Sequence, residues 1–223
     1  MLAKDIIYEG ITGLYIHRKA ILRALLIPLL LVAGLDVVNA TLDNNHPYRN
    51  IWELVIGCIQ SLVQVYIAIV IHRTIILSEA SPAFKLGRFL MYLLYLIAIG
   101  IMLIPVIFLG LLPYGFILAV IYGSLILTVF SLILPSIAVD QNITFAELWG
   151  IAKQRLGTLF ICVILVTVIT SIPSYIYRNF WNLHLIADLY QWLAIVVDIA
   201  ILSAAYKTIM HPNCGIISPD SGD

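Results

Sequence analysis

The chain has 223 residues, of which 62% are hydrophobic and only 11% are charged, and its formal net charge at pH 7 is zero. Soluble domains carry about 25% charged residues, so this composition excludes an ordinary water-soluble domain. The balanced charge and the lack of a basic, aromatic-rich stretch argue against a nucleic-acid partner.

Six transmembrane helices are predicted, joined by short links that leave no room for a separate soluble domain. Residues 89–139 contain no charge, and about 20 helical residues cross a bilayer core roughly 30 Å thick, so this run predicts two spans. Leu112 and Pro113 form the turn between them, because proline cannot continue one helix but suits the first turn of the next. The predicted spans are approximately 21–41, 51–71, 89–111, 114–134, 156–176 and 189–209. The fold class is therefore all-α, a polytopic bundle in the lipid bilayer, and the polar tail 212–223 is expected to be disordered.

Lysine and arginine are distributed unevenly between the predicted loops. If the N-terminus is inside, only Arg49 and Arg178 lie on the outer side. The inner set consists of Lys4, Arg18, Lys19, Arg23, Arg73, Lys85, Arg88, Lys153, Arg155 and Lys207. The positive-inside rule therefore predicts that both termini are cytoplasmic.

Three segments on the inner side are predicted to be amphipathic. They begin near the N-terminus before Arg18, at Ser81 with Pro82 as the first helical residue, and at Thr144. Thr144 and Glu147 have the spacing of a capping box. Such helices are expected to lie along the inner membrane surface, although a helix that docks onto a protein partner has the same signature.

Asp198 is the strongest candidate for a functional residue, because it lies near the middle of the last span and its short side chain cannot reach the interface. It could be a proton or cation site, or it could hold helices together by a hydrogen bond. Asp36 lies toward the outer end of the first span, where it could reach the interface or pair with Arg178.

A polar face runs along the second span. It is formed by Glu53, Gln60, Gln64 and His72. Gln60 and Gln64 lie deep in the membrane and each needs a partner there. Hydroxyl residues of the fourth and fifth spans, among them Thr128 and Thr167, could extend this face into a water-lined path, unless they bond to their own helices.

The inner end of the second span brings together His72, Arg73 and Glu79. His72 and Glu79 are seven residues apart, two helical turns if the helix continues. Two ligands are too few for a metal site, so a tertiary hydrogen bond at the inner interface is predicted and no metal.

Motifs of known catalytic and nucleotide-binding sites are missing from the sequence, which has no Walker loop, HExxH, GxSxG or CxxC. Paired carboxylates at one membrane depth are also missing, because Asp36 lies well above Asp198. The sequence therefore predicts neither an enzyme nor a cofactor.

Two stretches of the chain follow a recurring pattern of span, polar turn, basic pair and next span. One runs His72-Arg73-Thr-Ile-Ile-Leu-Ser-Glu79 and continues at Arg88-Phe-Leu-Met-Tyr92; the other runs Leu134-Pro-Ser-Ile-Ala-Val-Asp140 and continues through Glu147-Leu-Trp to Lys153. In this the chain resembles a group of bacterial six-span inner-membrane proteins, of which the YciC-like proteins are one branch. The resemblance implies six helices and a bacterial inner membrane, and it carries no catalytic residues.

Two functions fit these observations. The first is a non-enzymatic inner-membrane protein that moves or senses a small solute or lipid through a polar interior formed by Asp198, Gln60 and Gln64. The second is a scaffold or accessory subunit, in which these residues only hold helices together and the inner amphipathic helices dock a protein partner.

Overall fold

The computed structural model describes residues 3–41, 48–79, 82–112, 115–130, 132–141, 143–179 and 184–210. These residues form helices and connecting turns without any strand, which confirms the all-α class. The helices are α1 (Ala3–Ile16), α2 (Arg18–Thr41), α3 (Arg49–Leu77), α4 (Leu86–Gly110), α5 (Gly115–Phe130), α6 (Ile133–Ala138), α7 (Phe145–Ala152), α8 (Leu156–Asn179) and α9 (His184–Met210). The predicted turn at Pro113 and the tail 212–223 lie outside the described residues.

Six stretches of the described chain are long and apolar enough to cross a membrane. They are Arg18–Asn39, Arg49–Leu77, Leu86–Leu109, Ile121–Ala138, Ala146–Val168 and Tyr190–Met210. The protein is accordingly a multi-pass membrane protein.

Two spans differ in shape from the prediction. Helix α3 continues past residue 71 to Leu77, so that His72 and Arg73 are helical, and it ends at Ser78, whose φ of 55° is left-handed. The fourth span is divided, because α5 ends at Phe130 and α6 begins at Ile133.

The prediction of a helix that begins at Pro82 was wrong, and Ser81 lies outside the described residues. Pro82–Lys85 is irregular and α4 begins only at Leu86. The carbonyl oxygen of Ala83 accepts a hydrogen bond from Arg88 Nη1 at 3.2 Å, which holds this segment away from helical pairing. The capping box of α7 is confirmed, since Thr144 and Glu147 bond each other's backbone nitrogens.

Helix α1 is packed into the bundle and does not merely rest on its surface. Ile6 and Gly10 are buried, and α1 makes its main contact with α9. Thr208 Oγ1 donates to Glu9 Oε2 at 3.0 Å, which joins the two helices at their polar edge. At least one face of the amphipathic helix α1 therefore packs against the protein itself.

Helices α3 and α9 run side by side in the same direction. His72 of α3 is bonded to Ser203 of α9, and Gln60 and Gln191, each twelve residues earlier in its helix, line one cavity. The end of the bundle where α3 ends and α4 begins carries Arg73, and we call it the basic end. The cavity lies toward the opposite end.

Candidate functional site

An open cavity of about 360 Å³ lies between α2, α3 and α9, and we call it the polar groove. It is lined by Asp36, Gly57, Gln60, Ser61, Gln64, Gln191, Trp192 and Ile195. Three residues predicted from membrane depth, Asp36, Gln60 and Gln64, therefore meet at one place. The sequence did not single out Gln191 and Trp192 as site residues. Both lie at the start of the last membrane span, and polar and aromatic residues are common at the ends of any span.

Asp36 and Gln60 bond directly across the interface between α2 and α3. Gln60 Nε2 donates to Asp36 Oδ1 at 2.6 Å. The sequence predicted that Asp36 reaches the membrane interface or pairs with Arg178. The side chain of Arg178 lies outside the described part of the chain. A deep glutamine and a deep carboxylate thus satisfy part of each other's hydrogen-bonding capacity.

Asp198 lies below the floor of the polar groove. It follows Ile195 by three residues and Gln191 by seven, so it shares their face of α9 about one helical turn deeper than Ile195. Its Oδ1 is buried and has no hydrogen-bond partner among the described residues. An unsatisfied buried polar atom costs about 1–3 kcal/mol, so this oxygen calls for a proton, a water molecule or a ligand.

His72 is fully buried and connects three helices. Ser203 Oγ donates to the carbonyl of Ile199 at 2.7 Å, so this oxygen can only accept from His72 Nδ1 at 2.8 Å. His72 Nε2 then accepts from the Tyr92 hydroxyl at 3.2 Å. The sequence predicted a tertiary hydrogen bond here without naming its partner, and the partners are Ser203 and Tyr92.

Glu79 belongs to an ion-pair cluster at the basic end. The cluster consists of Arg73, Glu79, Lys85, Arg88 and Asp140. Arg73 Nε donates to Glu79 Oε2 at 2.7 Å, and Arg73 Nη1 contacts Asp140 Oδ2 at 3.1 Å. Arg88 Nε donates to Asp140 Oδ1 at 2.9 Å. The two arginines are buried, and each is held by a carboxylate.

Asp140 is the centre of the ion-pair cluster, and the sequence did not single it out for this role. Its backbone is left-handed, with φ of 59°, just after the end of α6. Hydrogen bonding to Arg88 lowers the pKa of Asp140 to about 2, with Lys85 contributing in the same direction. Asp140 is thus ionised at every physiological pH.

Two hydroxyl groups of the fourth and fifth spans, Thr128 and Thr167, make local hydrogen bonds within their own helices. Thr128 donates to the carbonyl of Ser124 at 2.6 Å, and Thr167 donates to that of Val163 at 2.8 Å. Both are the local bonds common for threonine in helices. Of the spans in the predicted path, α3 and α9 line the polar groove, together with α2 of the first span.

Candidate metal ligands do not gather anywhere in the described part of the chain, where no three His, Cys, Asp or Glu side chains are grouped. Comparisons with protein-family models, with curated proteins and with solved structures found no match to this chain. Its function must therefore be inferred from its own polar side chains.

Proposed function

We propose that this protein moves a small polar solute across a bacterial inner membrane, with the polar groove as its binding site. The observation that carries this proposal is a polar cavity of about 360 Å³ at membrane depth, a volume typical of small-ligand sites. Polar side chains at this depth are costly unless they have a function or a partner.

Asp198 indicates the route that a solute would take from the polar groove into the bundle. The groove lies toward the end away from the ion-pair cluster, and the unpartnered oxygen of Asp198 lies about one turn below its floor, on the side of that cluster. Beyond Asp198, the pathway is closed by the His72 bonds and the ion-pair cluster. Transport therefore requires helices at the basic end to separate, and the Lys and Arg distribution predicts that this end faces the cytoplasm.

Thiol labelling tests whether water reaches Asp198. In a background lacking Cys58, Cys162 and Cys214, Asp198→Cys is expected to react with a small membrane-impermeant reagent in reconstituted protein. Gln191→Cys reports on the groove itself, and Ala200→Cys, at a fully buried position on the same helix, is expected to be protected. Protection of Asp198→Cys while Gln191→Cys reacts would overturn the transport pathway.

A role as a scaffold is the second candidate, and the exposed surface of α7 favours it. Trp149 and Ile151 are both exposed on this short, well-capped helix, which could dock a protein partner at the basic end. In that case Asp198 only holds helices together, and the labelling experiment finds Asp198→Cys as protected as Ala200→Cys.

A further inference from the structure

Two polar side chains in the lining of the polar groove already donate hydrogen bonds within the protein. Ser61 Oγ donates its only hydrogen to the carbonyl of Gly57 at 2.8 Å, so only its lone pairs remain for a ligand. Gln60 directs its amide nitrogen to Asp36, which leaves its carbonyl oxygen available. The Ser61 hydroxyl hydrogen and one of the two Gln60 amide hydrogens are thus committed within the protein.

The described lining of the polar groove carries charge of one sign. Among the described residues, Asp36 is the one ionisable residue in this lining, which otherwise consists of amides, a serine, a tryptophan, a glycine and an isoleucine. An anionic ligand would meet no cation among these residues and would be repelled by the carboxylate. Since Coulomb energies increase as the surroundings become less polar, even one carboxylate selects strongly for positive charge at this depth.

Size excludes a bare metal ion as the sole occupant. A cavity of about 360 Å³ has room for roughly twelve water molecules at about 30 Å³ each, whereas a bound metal ion needs oxygens within about 2.6 Å on several sides. Trp192 and Ile195 give one wall an apolar and aromatic character. The face of an indole ring attracts organic cations.

We propose that the polar groove is selective for a small organic cation, an alkylammonium whose charged head lies beside Asp36 and whose carbons pack on Trp192 and Ile195. This inference rests on the proposed function and names its substrate class. The same chemistry occurs in a free amine and in the ammonium headgroup of a lipid, so the experiment has to separate the two.

Matched charged and uncharged ligands test the selectivity. Calorimetric titration of the protein in phosphatidylglycerol nanodiscs, a lipid without ammonium, compares choline and butylammonium with their uncharged counterparts 3,3-dimethyl-1-butanol and butanol. At least one cation is expected to bind ten-fold or more tightly than its counterpart. Diluting the phosphatidylglycerol with phosphatidylethanolamine is compared with diluting it to the same extent with an uncharged glycolipid, so that the surface charge is matched. Weaker cation binding with phosphatidylethanolamine than with the glycolipid would identify the lipid headgroup as a competing ligand, and equal binding would identify a free amine.

Variants test whether the Asp36 carboxylate is the charge responsible for cation binding. Asp36→Asn keeps an acceptor for Gln60 and removes the charge, so cation binding is expected to fall at least ten-fold while binding of the alcohols is unchanged. Trp192→Leu is a second variant with an expected loss of about three- to ten-fold. Glu53→Gln is the control, because Glu53 is on α3 but pairs with Arg49 outside the groove.

Equal affinity for cations and alcohols, or no effect of Asp36→Asn in protein that elutes as a folded monodisperse peak, would overturn the cation assignment. The groove would then bind neutral solutes and the proposed function would stand. Binding of none of the four probes also overturns the assignment, and the labelling of Gln191→Cys and Asp198→Cys then decides the proposed function separately.

Discussion

Arg88 illustrates how a charged side chain is kept inside this bundle. Its side chain is 3% exposed, and its donors are directed to Asp140 and to the carbonyl of Ala83. Asp140 itself is 42% exposed, so water reaches one side of the pair. The buried guanidinium therefore depends on a carboxylate that lies at the edge of the fold.

Asp140→Asn is expected to lower the free energy of unfolding by about 1–3 kcal/mol. Removing one partner of a buried ion pair costs about 3–5 kcal/mol, and the partial exposure of Asp140 reduces this value. Denaturation in detergent micelles measures the change. Lys85→Met is the control, since the Lys85 side chain is 62% exposed and exposed pairs contribute at most about 1 kcal/mol; equal effects of the two variants would contradict the central role of Asp140.

Acid should weaken the ion-pair cluster in a defined range. The pKa of Asp140 is lowered from 3.8 to about 2, so its contribution to stability is complete above about pH 5 and is lost as pH falls through about 2. In this range the unfolded chain binds more protons than the folded one. Thermal unfolding between pH 5 and pH 2 should show a shallower decline for Asp140→Asn than for the unaltered protein, and parallel curves would refute this linkage.

Helix α1 shows that a close backbone contact can decide where an element packs. A Cβ at Gly10 would lie 2.8 Å from Ile201 Cα and 3.0 Å from Ile201 N. Both are backbone atoms, which cannot move out of the way as the end of a flexible side chain can. Only glycine therefore permits α1 to lie this close to α9. The amphipathic pattern of α1 predicted a helix, but it did not indicate the contact surface.

Gly10→Ala is expected to destabilise the protein by about 1–3 kcal/mol, because α1 must move away from α9 and overpacking has this cost. Hydrogen exchange of the α1 amides should increase at the same time. Gly34→Ala provides the matched control, as a Cβ there meets no atom within 4 Å and alanine favours the helix by up to about 1 kcal/mol. A neutral effect of Gly10→Ala would mean that α1 is not held by this contact.

The bundle as a whole is polarised, with the ion-pair cluster at one end and the polar groove toward the other. The Lys and Arg distribution predicts that the basic end faces the cytoplasm. Leu112 follows α4 at the end away from the ion-pair cluster, and Lys153 follows α7. Both side chains are exposed, which makes them suitable reporters of sidedness.

Single cysteines at these positions test the orientation. In intact bacterial cells producing otherwise cysteine-free protein, Leu112→Cys is expected to react with an impermeant maleimide. Lys153→Cys is expected to react only after lysis, because the membrane shields it. The reverse pattern would invert the orientation and place the polar groove toward the cytoplasmic side.

Hydrophobicity and charge determined the all-α class, the six spans and the deep polar residues by themselves, because the bilayer requires apolar helices about 20 residues long and makes any polar exception conspicuous. Tertiary structure alone decided the partners. Asp36 meets Gln60 across 24 residues, His72 meets Ser203 across 131, and Arg88 meets Asp140 across 52. Such pairs depend on how helices are placed around one another, and the spacing of residues along a single helix does not contain that placement.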